Sequence, residues 1–243
     1  MKHTLTTLSV QDHPIPYSKK GALPPISFEL HSPAQLFIVG ANGIGKSTFL
    51  KQIAGNIKSN HTIKIDSKSI TDYSIKDRAL RIGFLEQQQS IHFPLTVKDL
   101  VVMGRYAYKN ALEAYDSQDY EKVLMALSEL GISYLYDKNF LTLSGGEQQL
   151  CLLAQLAIQD PDIILLDEPT QSLDLHNKEQ IFKWIDKQVT DKNKIVVCVT
   201  HDLHWIAEKK GYLLPLNNSL IQMHPMTKAL VLETIEKLKG QLL

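Results

Sequence analysis

The chain has 243 residues, enough for one sizeable core with an insert or for two small domains. Apolar residues make up 44% and charged residues 21%, a globular balance that excludes a disordered or fibrous chain. Lys+Arg and Asp+Glu both number 26, so there is no basic excess pointing to nucleic acid.

In chain order, Met1–Pro16 offers no continuous apolar stretch, and no secretory signal is expected. Ile26–Leu30 alternates and predicts a strand, with the first forty residues forming an antiparallel edge sheet. Leu36–Val39 is a short apolar strand leading into Gly40–Thr48 and a helix near Lys46–Ala54. From about Gln87 to Leu143 the patterns are helical. Thr96 can cap a helix running to Gly104, and Asp116–Gly131 carries Val123, Leu124, Leu127 and Leu130 at helical spacing. Ile163–Leu166 leads through Asp167–Thr170 to a helix near Leu175–Val189. Ile195–Thr200 leads through His201 to a helix near Leu203–Lys209, and Lys228–Leu243 is an amphipathic helix candidate.

Continuous apolar strands followed by helices predict an α/β fold around a mostly parallel sheet, with ligand loops at the carboxyl ends of the strands. The expected division is an α/β core of residues 1–86 and 144–243 with an N-terminal antiparallel β subdomain, and an inserted helical subdomain of residues 87–143. The apolar runs Ile163–Leu166 and Ile195–Val199 fall far short of the ~20 residues of a membrane-spanning helix. The two cysteines, Cys151 and Cys198, lie in apolar runs without a CxxC neighbour and read as small buried side chains.

Three motifs carry chemistry. Gly40-Ala-Asn42-Gly43-Ile-Gly45-Lys46-Ser47-Thr48 satisfies GxxxxGK[ST] between a strand and a helix. Its glycines let backbone N–H groups close around phosphate oxygens, and the helix that follows aims its positive end at the same anion. Lys46 then places a charge on the β/γ-phosphates, and Ser47 offers a hydroxyl to Mg²⁺. Ile163–Asp167–Glu168 is an apolar strand ending in two carboxylates, costly unless they meet a cation or a reactant. Asp167 is the expected Mg²⁺ ligand and Glu168 the group that polarises the attacking water. Leu143-Ser144-Gly145-Gly146-Glu147 places a helix cap and two glycines at a second anion site. A second phosphate site in one chain makes sense if two copies dock head to tail, each completing the other's pocket.

With these motifs in place the sequence resembles the ATPase subunit of an ABC transporter. The matched features are Gly40–Thr48 (Walker A), Gln87 in Gly83-Phe-Leu-Glu-Gln87 (Q-loop), Leu143–Glu147 (signature), Ile163–Glu168 (Walker B), Ser172-Leu-Asp174 (D-loop) and His201 (switch histidine). They follow the family's order and spacing across about residues 17–205. The resemblance implies a P-loop fold, ATP and Mg²⁺ as ligands, and ATP hydrolysis. It implies that Gln87 contacts the metal or its water and links the site to the helical insert. It further implies that His201 holds the γ-phosphate, that Asp174 crosses a dimer interface, and that Tyr17 stacks on adenine, this last from its distance to Gly40 alone. His204, one turn past His201, reads as a surface or packing histidine.

The family's partners would be a second ATPase copy, a polytopic permease dimer in the inner (plasma) membrane, on whose cytoplasmic face the ATPase would sit peripherally, and, indirectly, a solute-binding protein. Thr96–Tyr106 resembles a stretch in importers of iron–siderophore, haem and cobalamin, with zinc and manganese importers sharing a looser form. A soluble ABC ATPase of iron–sulfur cluster assembly would share every ATP motif. Three departures stand out. Glu147 replaces the usual Gln, Leu150 and Gln155 replace arginines that would strengthen subunit or helical-domain contacts, and Gly211–Pro215 replaces a more polar strand and turn.

Overall fold

The computed structural model describes residues 5–15, 23–59, 61–87, 91–110, 112–217 and 221–239. Four strands, β1 (Thr7–His13), β2 (Ile26–His31), β4 (Ile63–Ile65) and β5 (Lys68–Ser69), form an antiparallel sheet in the order β2-β1-β4-β5. A second sheet has the order β10-β9-β3-β8-β7-β6. It is built from β3 (Ala34–Gly40), β6 (Ile82–Leu85), β7 (Ile163–Asp167), β8 (Ile195–Val199), β9 (Tyr212–Leu216) and β10 (His224–Pro225). All its pairings are parallel except that of the edge strand β10. The expected α/β architecture is therefore present, with the antiparallel sheet at the N-terminal side of the sequence.

Strand β3 shows how the layers are made. Every residue of β3 is buried, and its side chains alternate between two cores. Leu36 and Ile38 join β1, β2 and α1 (Lys46–Ile53) on one face. Phe37 and Val39 join α5 (Gly145–Gln159) and α6 (Leu175–Thr190) on the other. A strand covered on both faces has no need of polar alternation, which is why these runs are continuously apolar. β7 and β8 are likewise fully buried, and the carboxyl ends of β3, β7 and β8 bring the loops after Gly40, Asp167 and Val199 to one edge. Cys151 and Cys198 are both buried, and burial pushes both thiols up, Cys151 to about 12, so neither is a thiolate nucleophile.

Helix α2 (Ile75–Arg81) leads into β6, and the middle of the chain that follows is helical, as its periodicity predicts. It holds α3 (Val97–Val102), capped by Thr96, and α4 (Ser117–Glu129), which Asp116 and Asp119 close with a capping box. The helix expected to run from Thr96 to Gly104 tightens after Val102 into a 3₁₀ segment, Met103–Tyr108. The cause is close approach to α5. A Cβ on Gly104 would lie 2.2 Å from the Gln155 carbonyl oxygen. Arg105 donates to the Ile158 carbonyl (3.1 Å) and Tyr108 to that of Gln159 (2.9 Å), filling the acceptors that the end of α5 leaves open. Gln155 does not cost the helical segment its anchorage: its Nε2 donates to the Leu100 carbonyl at 3.0 Å, while Leu150 is buried in the core.

Other boundaries differ locally. The helix at Leu203 is a single turn, α7 (Leu203–Ile206), and the C-terminal helix is α8 (Lys228–Lys239). The segment Gly211–Pro215, which replaces a more polar strand and turn, overlaps a strand: Tyr212–Leu216 pairs along β3 from Leu36 to Gly40. Pro215 fits because β10 reaches only Tyr212 and Leu213, leaving Pro215 near a sheet edge. Among the described residues, no helix is long and apolar enough to cross a membrane.

Replacing Gly104 by Ala forces a methyl into the α5 backbone. The expected cost is roughly 1–3 kcal/mol of stability, read from urea unfolding of the two proteins. An unchanged midpoint would mean that this contact does not set the path of residues 103–108.

Candidate functional site

The loop between β3 and α1 sets the site. Gly45 is the N-cap of α1 with φ 111, so it offers no capping side chain, and the first turn carries no acidic residue. A Cβ there would also sit 2.5 Å from Ile15 Cγ2. The helix's first N–H groups and its positive end are thus directed to whatever anion enters the loop. Asn42, Gly43, Gly45, Lys46, Ser47 and Thr48 line a cavity of about 680 Å³, and Gln87, Glu168 and His201 line the same cavity. Residues far apart in sequence meet here because β3, β6, β7 and β8 end side by side.

Lys46 is buried, and its Nζ donates to the carbonyls of Gly40 (2.9 Å) and Ala41 (3.2 Å). Gly40 itself is not part of the cavity wall; it holds Lys46 from behind. Burial lowers the Lys46 pKa, while the nearby charges of Glu168 and Asp167 act against that fall. Asp167 closes the fully buried strand β7 and is 1% exposed. Burial raises its pKa, against a hydrogen bond from Ser47, and its Oδ1 is buried without a partner. A serine hydroxyl, a carboxylate with an unpaired oxygen and the Gln87 amide form the oxygen set that suits Mg²⁺. The described residues hold no cluster of three or more His, Cys, Asp and Glu of metal-binding form, and His204 is exposed.

Glu168 has left-handed backbone (φ 50), costly for a non-glycine residue. Its backbone N–H bonds the Val199 carbonyl at 3.0 Å, pinning β7's end to β8's. Both carboxylate oxygens are gripped. Gln87 Nε2 donates to Oε2 at 3.1 Å and also to Gln171 Oε1 at 2.8 Å. His201 Nε2 lies 3.1 Å from Oε1. Burial, and then the charge of Lys46, lower the His201 pKa, so at neutral pH the imidazole is uncharged and donates Nε2–H to Glu168. The arrangement thus fixes a carboxylate at the open end of a phosphate loop.

The signature residues lie elsewhere. Ser144, Gly145, Gly146 and Glu147 do not line this cavity, and neither does Asp174. Ser144 caps α5, and Glu147 accepts from the Ser144 backbone N–H (3.0 Å), the Ser144 hydroxyl (2.7 Å) and the Tyr134 hydroxyl (3.2 Å). The Ser144 contacts hold the Glu147 carboxyl below its usual range. The two glycines differ. A Cβ on Gly146 would meet Asn177 Nδ2 at 2.3 Å, whereas one on Gly145 would meet nothing within 4 Å. Gly146 is small because α6 packs on it; nothing in its own chain requires Gly145 to be small. Asp174 caps α6 by accepting from the Asn177 N–H at 2.8 Å. Tyr17 lies outside the described residues.

Thr170, Gln171, Ser172, Lys178, Thr200 and Asp202 complete the cavity wall. Apart from Ser172 in the D-loop, sequence reading did not single them out. Asp202 follows His201 directly, and Lys178 stands one helical turn past Asp174, which are the available signals.

Comparison with known proteins then settles the family. A family model described as ABC transporter matches residues 23–171, well over half of the chain. The chain belongs to the ABC transporter ATP-binding family. It is an ATPase, with a P-loop fold. An overlapping match over residues 138–207 is to an AAA domain model described as a putative AbiEii toxin of a type IV toxin–antitoxin system. The ATPase is 37% identical to an uncharacterized ABC transporter ATP-binding protein of Haemophilus influenzae, covering 80% of this chain and 74% of that one. It is 32% identical to the ferric enterobactin transport ATP-binding protein of Escherichia coli, covering 84% and 76%. Among solved structures it matches a transporter classed as metal-chelate type, in an inward-facing conformation, with TM-score 0.82 and 29% identity over 97% of this chain and 89% of that one.

Ser144→Ala removes the α5 cap, and we expect a loss of about 1 kcal/mol at neutral pH. Glu147 has a depressed folded-state pKa, so its contribution is present above its unfolded pKa and is lost as pH falls through the folded value. The cost of Ser144→Ala should therefore shrink at an acidic pH below the ordinary glutamate range, relative to neutral pH. Urea midpoints at the two pH values check this; an equal cost at both would remove Glu147 from the cap energetics.

Proposed function

We infer that this ATPase powers import through a membrane permease, working as a homodimer on a permease dimer at the cytoplasmic face of the plasma membrane. The inferred cargo is a metal chelate, iron–siderophore first, with haem and cobalamin in the same class, delivered by a solute-binding protein. The observation that carries hydrolysis is the double grip of Gln87 and His201 on the Glu168 carboxylate beside the phosphate loop. Support for the cargo class comes from relatives. Besides the enterobactin protein, the petrobactin import ATP-binding protein of Bacillus subtilis is 32% identical over 84% of this chain and 81% of its own.

In this reading Lys46 and the N–H groups opening α1 hold the β- and γ-phosphates of ATP, with Gly40, Asn42, Gly43, Gly45 and Thr48 shaping the loop. Ser47, Asp167 and Gln87 would hold Mg²⁺, whose chemistry is to neutralise phosphate charge and polarise the γ-phosphate. The unpaired buried oxygen of Asp167 is the observation that this assignment explains. Glu168 takes the proton of the attacking water, and its fixed oxygens keep that geometry. His201 leaves Glu168 to donate to the γ-phosphate. Ser144, Gly145, Gly146 and Glu147 of a second copy close the pocket, and Asp174 sits at that interface. Residues 1–86 and 144–243 act as the ATP-binding core, and residues 87–143 as the helical subdomain facing the permease.

A second reading has a specific basis. The manganese transport system ATP-binding protein of Bacillus subtilis is 32% identical over 93% of this chain and 89% of its own, so a manganese or zinc importer shares the same machinery. An assembly ATPase, as in iron–sulfur cluster assembly, would be distinguished by soluble scaffold partners in place of a permease.

Glu168→Gln should bind ATP with near-native affinity and turn over 10²–10³ times more slowly, a barrier increase of ~3–4 kcal/mol. Wild-type turnover in that variant removes Glu168 from the base role. The cargo is read from ATPase stimulation in the reconstituted complex with permease and binding protein. Ferric siderophore should stimulate; stimulation by free manganese or zinc alone would overturn the chelate assignment.

A further inference from the structure

Asp202 occupies a junction that the ATP-binding motifs do not account for. Its carboxylate is reached from two other elements. Thr170, itself buried, donates its hydroxyl to Oδ2 at 2.6 Å, and Lys178 Nζ lies 2.7 Å from Oδ1. The backbone N–H of Asp202 in turn donates to Thr200 Oγ1 at 3.0 Å. Each contact arrives from a segment that carries a functional side chain. Thr170 stands two residues after Glu168. Lys178 lies in the first turn of α6, four residues after its cap Asp174. Thr200 and Asp202 flank His201. All three loops line the ATP cavity, and Lys178 and Asp202 are among its lining residues.

The charge arithmetic explains why a lysine is suited to this position. The cavity wall already holds the carboxylate of Glu168, with Asp167 buried behind it, and a triphosphate brings more negative charge. An uncompensated Asp202 beside His201 would repel the same phosphates. Lys178 cancels that charge locally, and the pair is about four-fifths buried, so solvent screens it little. Lys178 has its partner in Asp202 and need not reach the nucleotide.

We propose that the Thr170–Asp202–Lys178 junction positions His201 and the start of α6 relative to Glu168, making Lys178 and Asp202 positioning residues for ATP hydrolysis. The proposal rests on the reading of Glu168 and His201 given above. Through this junction a displacement of α6 and the D-loop at the dimer face is carried to the switch loop. Removing Lys178 leaves Asp202 Oδ1 unpaired, with only Thr170 holding Oδ2, and so loosens His201 without touching the phosphate loop. The consequence is a loss in kcat with ATP affinity kept.

The test compares wild type, Lys178→Met, Lys178→Arg, Asp202→Asn and the Lys178→Met/Asp202→Asn double variant as full chains, with Glu168→Gln measured alongside. Readouts are the ATP dissociation constant, kcat, KM and Tm. The proposal expects Lys178→Met to lose at least about tenfold in kcat, with ATP affinity within about twofold and Tm near wild type. Lys178→Arg should recover most of the loss, because a guanidinium keeps the pair. The double variant should be no slower than the worse single variant, since both cut one interaction. Wild-type kcat in Lys178→Met overturns the proposal. So does weaker ATP binding at unchanged kcat, which would make Lys178 a direct nucleotide ligand, and so does a drop in Tm with no recovery in Lys178→Arg. If Glu168→Gln also hydrolyses ATP normally, the underlying reading of the site has failed; if it alone is slow, only the junction has.

Discussion

A carboxylate at the end of a fully buried strand is the constraint around which this molecule is arranged. Asp167 and Glu168 follow four aliphatic residues of β7, and the sheet that buries those residues also carries the acids out of water. The neighbourhood answers that cost group by group. Ser47 bonds Asp167, Lys46 offsets both charges from the start of α1, and Gln87 and His201 take the two oxygens of Glu168. Remove the parallel pairing of β3, β8, β7 and β6 and none of these groups would meet.

The strain follows the same logic. Glu168 keeps a left-handed backbone because its N–H is committed to the Val199 carbonyl while its side chain is committed to the cavity. Such a residue is held by its surroundings and not by its own preference. The packing of residues 97–108 is conventional by comparison. There the helical segment is clamped on α5 by Gly104, Arg105, Tyr108 and Gln155, through contacts that satisfy helix-end carbonyls. That clamp fixes the C-terminal half of α5, and the capping box of Ser144 and Glu147 closes its N-terminus.

Much of the site was legible in sequence because its parts are local. A strand, a glycine-rich turn and a lysine are contiguous in Leu36–Thr48, and so are an apolar strand and two acids in Ile163–Glu168. What was missed depends on pairing across the chain. Lys178 and Asp202 have ordinary local contexts, and only the fold sets them 2.7 Å apart. Strands β1, β4 and β6 are short or carry mixed polarity, so their pattern is weak until partners are known. Gly211–Pro215 departs from a more polar strand and turn yet still lies on a strand, because a sheet edge tolerates Pro215. The stop of α3 at Val102 could not be read either, since it depends on how closely α5 passes Gly104.

We infer that the cavity lined by the Asn42–Thr48 loop is half of a site, completed by the signature of a second copy. Gly145 isolates that pairing, because a Cβ there meets nothing within 4 Å in its own chain. The decisive measurement is sedimentation of Glu168→Gln with Mg²⁺-ATP, with and without an added Gly145→Trp change. The account predicts an ATP-dependent dimer that Gly145→Trp abolishes while Tm stays put. A protein that remains monomeric with ATP, or a dimer indifferent to Gly145→Trp, would contradict it.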